Sequence, residues 1–369
     1  QSLIQLETSG LILRGHFKAP DEWCDRRLLA RIHKLTIAKL RNEIKPILAQ
    51  DFMRWLLKWQ HIAEEDKLRG KEGLLEIIQQ LQGIEISANV WEKEIFAKRL
   101  HDYDPDMLDY LCLTGAVGWG RFSTHSKLQT NDAQKIFRRI VPNSRAPITF
   151  FLRDHFPGLT THSPEVHFLS YTAQRIYHFL KMHGAAFLVD IQKNVDALKS
   201  EVETALWELT TVGMITADAF DNLRAFIHPR RRKRQKTYFP QGKGRWSLLH
   251  LSNETNHEDI CRMLLKRYGV VFRDLLVKEK LIPPWKDLLK TFRLLEARGE
   301  IRGGRFIHGF IGEQFALPYA IDSLRIFLKE KIKNHPTILS SMDPLNLTGI
   351  LLAGERIPSN HKKNISIPT

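Results

Sequence analysis

The side chains with the plainest chemical use in this sequence are basic and aromatic, and one group combines an indole with amides and imidazole. Trp59 lies at the end of a helical pattern and is followed by Gln60 and His61. Any nucleobase can stack on an indole, and such stacking contributes about 1–3 kcal/mol per base. The spacing therefore predicts a single-strand contact at Trp59, Gln60 and His61, although a buried aromatic residue would give the same pattern.

A second group is a run of cations in the middle of the chain. Eight Lys and Arg residues and no acid lie between His228 and Arg245. Cations bind phosphates by releasing counterions, without reading the base sequence. We expect phosphate contacts here, with a solvated loop as the alternative; the densest part of the run is Arg230, Arg231, Arg232, Lys233 and Arg234.

A third group lies on one predicted helix and the segment after it. Lys286, Lys290 and Arg293 share a helix face at helical spacing, opposite a stripe of apolar residues. Arg302 and Arg305 follow in a glycine-rich segment that is predicted to form a β-hairpin. These five residues are the candidates for a helix and a hairpin that lie along a phosphate backbone.

The whole composition agrees with an anionic partner. The 369 residues carry a formal net charge of +15 and a sequence pI near 9.7, which is typical of proteins that bind nucleic acid. No phosphate-binding GxxxxGK[ST] motif is present, so we expect no ATP hydrolysis and no cofactor in this chain. The three cysteines lack the spacing of a zinc site or disulfide framework, and no apolar run is long enough for a membrane helix.

One carboxylate is a weak catalytic candidate. Asp343 lies in the segment "SSMDPLNLTG", and a lone carboxylate is what base-excision chemistry would need. An Asp-Pro turn explains the same residue without chemistry, and it is the interpretation that the sequence favours.

The elements that must position these residues form a repeat. The segments "LDYLCLTGAV", "LWELTTVGMI" and "FRLLEARGEI" each contain a helix end, a glycine, one further residue and a β-branched residue. Gly115, Gly213 and Gly299 suit the left-handed position that ends a helix. Shorter helices precede the second and third copies, and three helices followed by a hairpin are typical of the winged helix.

The repeat predicts a mainly α fold with small β-hairpins (α+β), with tandem winged-helix domains preceded by a helical segment. The predicted parts are the end of a preceding winged helix (1–17), a helical domain (18–90), winged helices (90–155, 168–228 and 255–330), a basic linker (229–254) and a C-terminal turn and strand extension (331–369). In the first two copies the third helix offers acids where a phosphate-binding helix needs cations. We therefore expect the third copy to carry the nucleic-acid contact and the others to pack or bind partners.

Long segments of the chain resemble the large helicase-related (Lhr) family of bacterial superfamily-2 helicases. They are "SGLILRGHF", "EWCDRRLLARIHKLTIAKLRNEI", "DFMRWLLKWQHI", "EARGEIRGGRFIHGFIGEQFALP" and "DPLNLTGILLAGERIP". The resemblance covers the region that follows the two RecA-like motor domains in that family. It implies winged-helix architecture, and it matches Trp59 to a tryptophan that the family places against a base.

The resemblance also implies a function. Members of the family are ATP-dependent helicases that move 3′→5′ on single-stranded DNA, unwind duplexes and RNA:DNA hybrids, and are linked to DNA repair. This segment would then form part of the single-strand channel, with RecA-like motor domains in the same chain or a separate one. ATP and Mg would bind in the motor, and the expected location is the cytoplasm, at the bacterial nucleoid.

Two alternatives stay open. The architecture also resembles winged-helix DNA glycosylases, so the chain could be a base-excision domain, although their catalytic glutamine motif has no match here. The acidic third helices of the first two copies would suit a protein-interaction scaffold. Because the motor motifs are absent, helicase activity does not carry over to this chain alone, and its start at Gln1 suggests a piece of a longer protein.

Overall fold

The computed structural model describes residues 2–17, 19–123, 146–154, 166–227, 244–249, 255–330, 336–357 and 364–367. The buried side chains form two hydrophobic cores. One core joins the first and second winged helices, and the other joins the third winged helix to a preceding helix and the C-terminal hairpin.

The N-terminal segment repeats the helix–glycine–strand pattern. Its elements are α1 (Leu3–Thr8), β1 (Ile12–Gly15) and β2 (Glu22–Asp25). Gly10 ends the helix with φ 70°, and β1 and β2 pair antiparallel, as a third helix and its wing would. The sequence predicted the end of a preceding winged helix over 1–17; residues 3–8 form a helix, and the hairpin extends beyond that boundary to Asp25.

Two helices follow, and they serve different parts of the fold. They are α2 (Arg26–Asn42), which Asp25 caps with its carboxylate, and α3 (Ala49–Trp59). Apolar residues on α3 lie in the core of the third winged helix, and Trp55 Nε1 donates to Ser323 Oγ at 3.1 Å. The predicted independent helical domain at 18–90 is therefore wrong, because α3 packs on a unit far along the chain.

We call the first winged helix unit one. Its elements are β3 (Leu68–Arg69), α4 (Gly70–Leu81), β4 (Ile86–Ser87), α5 (Ala88–Val90) with a π-helical turn (Trp91–Phe96) and α6 (Ala97–Arg99), β5 (Leu100–His101), α7 (Pro105–Leu113), β6 (Val117–Gly120) and β7 (Pro147–Leu152). The three-stranded sheet has the order β4-β7-β6, and β3 pairs parallel with β5. The predicted boundary at residue 90 falls inside this unit, since α4 is its first helix and β4 is the first strand of its three-stranded sheet.

Unit two repeats the plan. Its elements are α8 (Tyr171–His183), α9 (Leu188–Val195), α10 (Lys199–Thr211), β8 (Ile215–Ala217), α11 (Asp221–Ile227) and β9 (Trp246–Leu248). Strand β8 pairs with β9, and a bridge from Ala186 to Trp246 supplies the first strand. The predicted basic linker at 229–254 is therefore wrong in part, because β9 is the second wing strand of unit two.

Unit three is the most regular copy. Its elements are α12 (His257–Tyr268), β10 (Val270–Val271), a 3-10 helix (Arg273–Lys278), α13 (Trp285–Ala297), β11 (Arg302–Gly304), β12 (Gln314–Ala316) and α14 (Pro318–Phe327). The sheet order β10-β12-β11 is the counterpart of that in unit one. The C-terminal extension contributes β13 (Thr337–Ser340) and β14 (Asn364–Ile367), an antiparallel pair whose apolar residues join the second core.

The repeated glycines adopt the conformation that the sequence predicts. Gly115, Gly213 and Gly299 have φ values of 82°, 80° and 78° and end the third helix of each unit. Each is followed by the first wing strand, so the winged-helix prediction is confirmed in all three units.

Candidate nucleic-acid interface

The third helix of unit three presents a basic outer face. Its buried side is apolar, with Leu288, Phe292 and Leu295 in the core. On the other side Lys286 and Lys290 are exposed, and Lys290 lies 3.5 Å from Asp287 in an open, weak ion pair. The helix therefore carries two accessible cations in positions that the core leaves free.

The wing of unit three adds two more cations. Arg302 begins β11, opposite Ala316 of β12, and Arg305 follows the strand; both side chains are exposed. Neither forms a salt bridge within the ranges that the structure describes. Lys286, Lys290, Arg302 and Arg305 thus leave positive charge on one helix and its own wing, and we call these four residues the unit-three cations.

Arg293, the fifth predicted contact, is engaged within the protein. Its guanidinium donates to Glu313 Oε2, with Nη2 at 2.6 Å, and it is half exposed. Arg41 at the end of α2 donates to the other oxygen of Glu313 at 2.9 Å and also to Glu296. Arg293 is therefore a weaker candidate for phosphate than the sequence suggested, because a carboxylate already holds it.

This carboxylate bridge neutralises the one acid of the wing. Burial raises the pKa of Glu313, but hydrogen bonds and charge from Arg293 and Arg41 outweigh it and leave the pKa below its usual value. Glu313 is the only acid between Arg302 and Ala316 in the sequence. The wing sequence therefore has no unpaired acid that would offset the charge of its exposed arginines.

Two glycines of β11 allow α2 to dock against the wing. A Cβ at Gly303 would overlap the carboxylate of Glu296, whose Oε1 accepts the Gly303 N–H at 3.1 Å. A Cβ at Gly304 would overlap Ile44, just beyond α2. The glycine pair therefore serves close packing of β11 against Glu296 of α13 and against the end of α2.

Trp59 belongs to a column of aromatic rings that runs from the core to the surface. Ring centroids are 5.7 Å apart for Phe52 and Trp55, 4.8 Å for Trp55 and Trp59, and 5.7 Å for Trp59 and Tyr319. Trp59 is half-buried and its Nε1 donates to the carbonyl of Lys266 at 3.0 Å. Tyr319 is 55% exposed, so it is the member of the column that faces solvent.

Gln60 is not available to a ligand, and this prediction was wrong. The side chain has 0% exposure, its Nε2 donates to the carbonyl of Arg267 and its Oε1 accepts from Arg99. Both ends of the amide are used in joining α3 to units one and three.

His61 is half-buried in a left-handed backbone conformation, with φ 59°. Its Nδ1 donates to the carbonyl of Asp66 at 3.0 Å, since a carbonyl can only accept. Burial lowers the pKa of His61 below its usual value, against a smaller opposing effect of that hydrogen bond. A neutral, locally bonded imidazole is a poor phosphate ligand.

Asp343 is a structural carboxylate. Its two oxygens accept from both Nη atoms of Arg99 at 2.8 and 2.9 Å, and the pair is almost fully buried. Asp343 Oδ1 also accepts from the N–H of Leu345, as an Asp-Pro turn predicts. A carboxylate this occupied cannot reach a nucleotide, so the catalytic candidate was wrong.

Units one and two use their third helices for packing. In α10 every residue from Ala205 to Thr211 is buried. In α7, Asp109 accepts from Arg224 of unit two at 2.9 Å, and Glu92 of unit one accepts from the same guanidinium. Asp109 and Glu208 are thus engaged inside the chain, whereas Asp106 of α7 and Glu201 of α10 are exposed.

Three residues that bear on the candidate interface were not identified from the sequence. They are Arg41 of α2, Tyr319 of α14 and Ile311 at the tip of the wing. Arg41 lies in a predicted helix with other cations, and nothing local distinguishes it. Tyr319 follows Pro318, next to the quoted glycine-rich segment, where an aromatic residue at a helix start was a usable signal. Arg230–Arg234 lie outside the described residues, between β8 and β9 in the sequence.

The described ranges hold no group of three or more His, Cys, Asp or Glu side chains arranged to bind a metal ion. Each helix within those ranges is too short or too polar to cross a lipid bilayer.

The fold defines a tandem winged-helix protein whose third unit presents a cationic helix and wing. Two family models, each described as a winged-helix domain of the large helicase-related protein, match residues 47–137 and 250–335. Over 384 residues the chain is 28% identical to "Lhr helicase/ probable uracil glycosylase" of Mycolicibacterium smegmatis (strain ATCC 700084 / mc(2)155), covering 95% of this chain and 24% of the relative. It is 26% identical over 401 residues to "Lhr helicase/uracil glycosylase" of Escherichia coli (strain K12), covering 95% of this chain and 25% of the relative.

The chain belongs to the large helicase-related family. It spans about a quarter of the length of the curated relatives that it matches. The resemblance found in the sequence is therefore confirmed, and the segments that the family models match include unit three and unit one up to β6.

Proposed function

We propose that this chain is a nucleic-acid-binding region of an Lhr-type ATP-dependent helicase, and that unit three contacts the strand. The observation that supports this most is the set of unit-three cations beside a wing acid, Glu313, that two arginines already neutralise. Exposed cations on a third helix and its wing are the usual phosphate contacts of a winged helix.

The proposal extends to the substrate. Single-stranded DNA, or the DNA strand of an RNA:DNA hybrid, would run past unit three while RecA-like motor domains, in the same chain or a separate one, hydrolyse ATP with Mg. Unwinding in the 3′→5′ direction, a role in DNA repair and a location at the bacterial nucleoid belong to the same proposal. The family and the names of the helicase relatives support it.

Fluorescence anisotropy with labelled oligonucleotides tests the binding step. The chain is titrated with single-stranded DNA, duplex DNA and an RNA:DNA hybrid between about 50 and about 200 mM salt. For single strands the slope of log K against log salt is about −0.7 per phosphate contact. A clear slope with single strands bound more tightly than duplex is expected, whereas no binding at the lowest salt would contradict the proposal.

The aromatic column suggests where a base would stack. Trp59 already stacks on Trp55 and Tyr319, so a base that uses this column meets Tyr319 first. Tyr319→Ala should then weaken single-strand binding by about tenfold, in the range of one stacked base. Tyr319→Phe keeps the ring and is the matched control; equal loss in both variants would contradict stacking.

A uracil glycosylase is the second candidate function, because both relatives carry that activity in their names. The carboxylate of Asp343 cannot serve this reaction, because it is buried in an ion pair with Arg99. Incubation of the chain with a uracil-containing oligonucleotide, followed by alkaline cleavage, decides between the candidates. A cleaved product that persists in Asp343→Asn would support a glycosylase that uses another residue, and no product would remove this candidate.

A protein-interaction scaffold has less support than it had from the sequence. Two of the acids that suggested it are engaged within the protein, because Asp109 pairs with Arg224 and Glu208 is buried in α10. If the chain binds no nucleic acid at low salt, a protein-interaction scaffold becomes the better-supported function.

A further inference from the structure

The tip of the unit-three wing carries an isoleucine that the rest of the protein does not cover. Ile311 is 91% exposed, the largest fraction among the large apolar side chains in the described ranges. Gly309 and Gly312 on either side have φ values of 90° and 103°, and no atom lies within 4 Å of a Cβ built on either. The side chain therefore stands clear of the body of the molecule at a sharp turn.

The base of this loop is fixed. The buried Gln314 side chain accepts from the N–H groups of Phe306 and Ile307 at 2.8 and 2.7 Å, and its own amide donates to the carbonyl of Ile307 at 2.9 Å. Residue Ile47 closes the other side, since His308 N–H donates to its carbonyl at 2.8 Å.

The flank of the tip is also held in place. The ring of Phe310 packs on Phe272 with centroids 4.5 Å apart. Glu313 on the other flank is bound by Arg41 and Arg293. Ile311 is thus an apolar point on a supported hairpin, so force applied at the tip would pass to the core of unit three.

The surroundings indicate which partner the tip meets. Arg302 and Arg305 lead into the loop, both are exposed, and neither has a salt bridge to a described residue. The only acid of the wing is neutralised by arginine. An apolar tip beside exposed cations fits a partner with an apolar interior and a phosphate exterior, which is the chemistry of stacked bases. Proteins that deform nucleic acid insert isoleucine and similar side chains between base steps in this way.

We propose that Ile311 inserts between neighbouring bases where a duplex meets a single strand, and that it opens the stack there. This deepens the proposed function and rests on it. Arg302 and Arg305 would bind the flanking phosphates, and Ile311 would act on the bases that those phosphates join. No bond is made or broken, and the work is unstacking alone.

The test uses the full chain and a forked DNA duplex with 2-aminopurine at the junction pair, a base whose fluorescence rises when it unstacks. At saturating protein, the unsubstituted chain should raise the fluorescence. Ile311→Ser should reduce that rise at least fivefold while its affinity for the fork stays within threefold. Ile311→Val keeps an apolar branched side chain and should restore most of the signal.

Ile326→Ser is the matched control, because Ile326 is also exposed on unit three but lies on α14 rather than at the wing. It should leave the rise unchanged. A normal rise with Ile311→Ser, or no rise when the unsubstituted chain binds the fork, would overturn the wedge and leave the binding function standing. If the unsubstituted chain fails to bind the fork at all, the wedge and the proposed function both fall.

Discussion

The third helices of units two and three have the same place in the fold and opposite surroundings. Both α10 and α13 end at a glycine in the left-handed region, Gly213 and Gly299. From Ala205 to Thr211 every residue of α10 is buried, whereas α13 buries one side only. The difference shows that a copied fold does not copy a binding surface, because the packing around each helix decides which of its faces stay open.

Unit one contacts the end of α10 and the strand that follows it. The guanidinium of Arg121 donates to the carbonyl of Thr211 at 3.0 Å, and Thr216 Oγ1 donates to the carbonyl of Trp119 at 2.6 Å. Within the described ranges, Lys286 and Lys290 of α13 are exposed. Unit two therefore packs on unit one, while the outer face of α13 stays open.

The largest expected effect is on stability and comes from α10. Trp207 is 1% exposed, and its removal leaves a large cavity. Trp207→Ala should lower the free energy of unfolding by about 3–5 kcal/mol. The counterpart on α13, Lys290→Ala, should change it by less than about 0.5 kcal/mol. Urea denaturation measures both, and a cost below about 1 kcal/mol for Trp207→Ala would break the contrast between the helices.

The Asp343 ion pair should belong to the packed interior and not to a site. Asp343→Asn leaves the buried guanidinium of Arg99 without its counter-charge, which costs about 3–5 kcal/mol. Asp322→Asn breaks an exposed pair with Arg325 and should cost less than about 1 kcal/mol. Thermal or urea unfolding of the two variants compares them, and similar small losses would mean that Asp343 is open to solvent.

The two helix-ending glycines offer a finer test of the same contrast. An alanine at Gly299 meets no atom within 4 Å and suffers only the left-handed strain, about 1–2 kcal/mol. An alanine at Gly213 suffers the same strain and also overlaps the carbonyl oxygen of Arg121. Gly213→Ala should therefore cost about 1–3 kcal/mol more than Gly299→Ala. Equal unfolding free energies for the two variants would show that unit one does not press on the end of α10.

The smallest expected effect is a pH dependence at His61. Its pKa is lowered in the folded protein by burial, so the unfolded chain binds the proton more readily. The contribution of this residue to the free energy of unfolding is fully present above the unfolded pKa of about 6.5. It is lost as the pH falls below that value and through the lower pKa of the folded protein. His61→Asn tolerates the left-handed backbone and should lose less stability than the unsubstituted chain between about pH 7 and about pH 5. An identical pH profile for both proteins would contradict the buried, neutral imidazole.

Much of the fold was accessible from sequence because its signals are local. The helix–glycine–strand repeat predicted three winged helices, and each glycine has the predicted φ. Unit one was bounded wrongly because α4 and β4 match no part of that short repeat. The second wing strand of unit two was missed because a long basic segment separates Trp246 from its partner strand β8.

The candidate site was predictable only in part, and the failures have a common cause. The cations of α13 and β11 follow from helix and hairpin periodicity, and those that the structure describes lie where the periodicity predicts. The partners of Gln60 and Asp343 lie far along the chain or on another unit, and no spacing rule reveals them. Arg293 pairs with Glu313 of the same unit, 20 residues away and across the wing loop. Asp343 and Arg99, for example, are 244 residues apart.

The most direct test of the contrast compares paired cation variants of units two and three in single-strand binding. Arg302→Ala/Arg305→Ala removes the wing cations, and Lys181→Ala/Lys193→Ala removes two exposed lysines from unit two. We predict that the unit-three pair weakens binding by about tenfold or more and makes the salt slope shallower by about 1 to 2, while the unit-two pair stays close to the unsubstituted chain. Equal losses from both pairs, or a larger loss from unit two, would contradict the assignment of nucleic-acid binding to unit three.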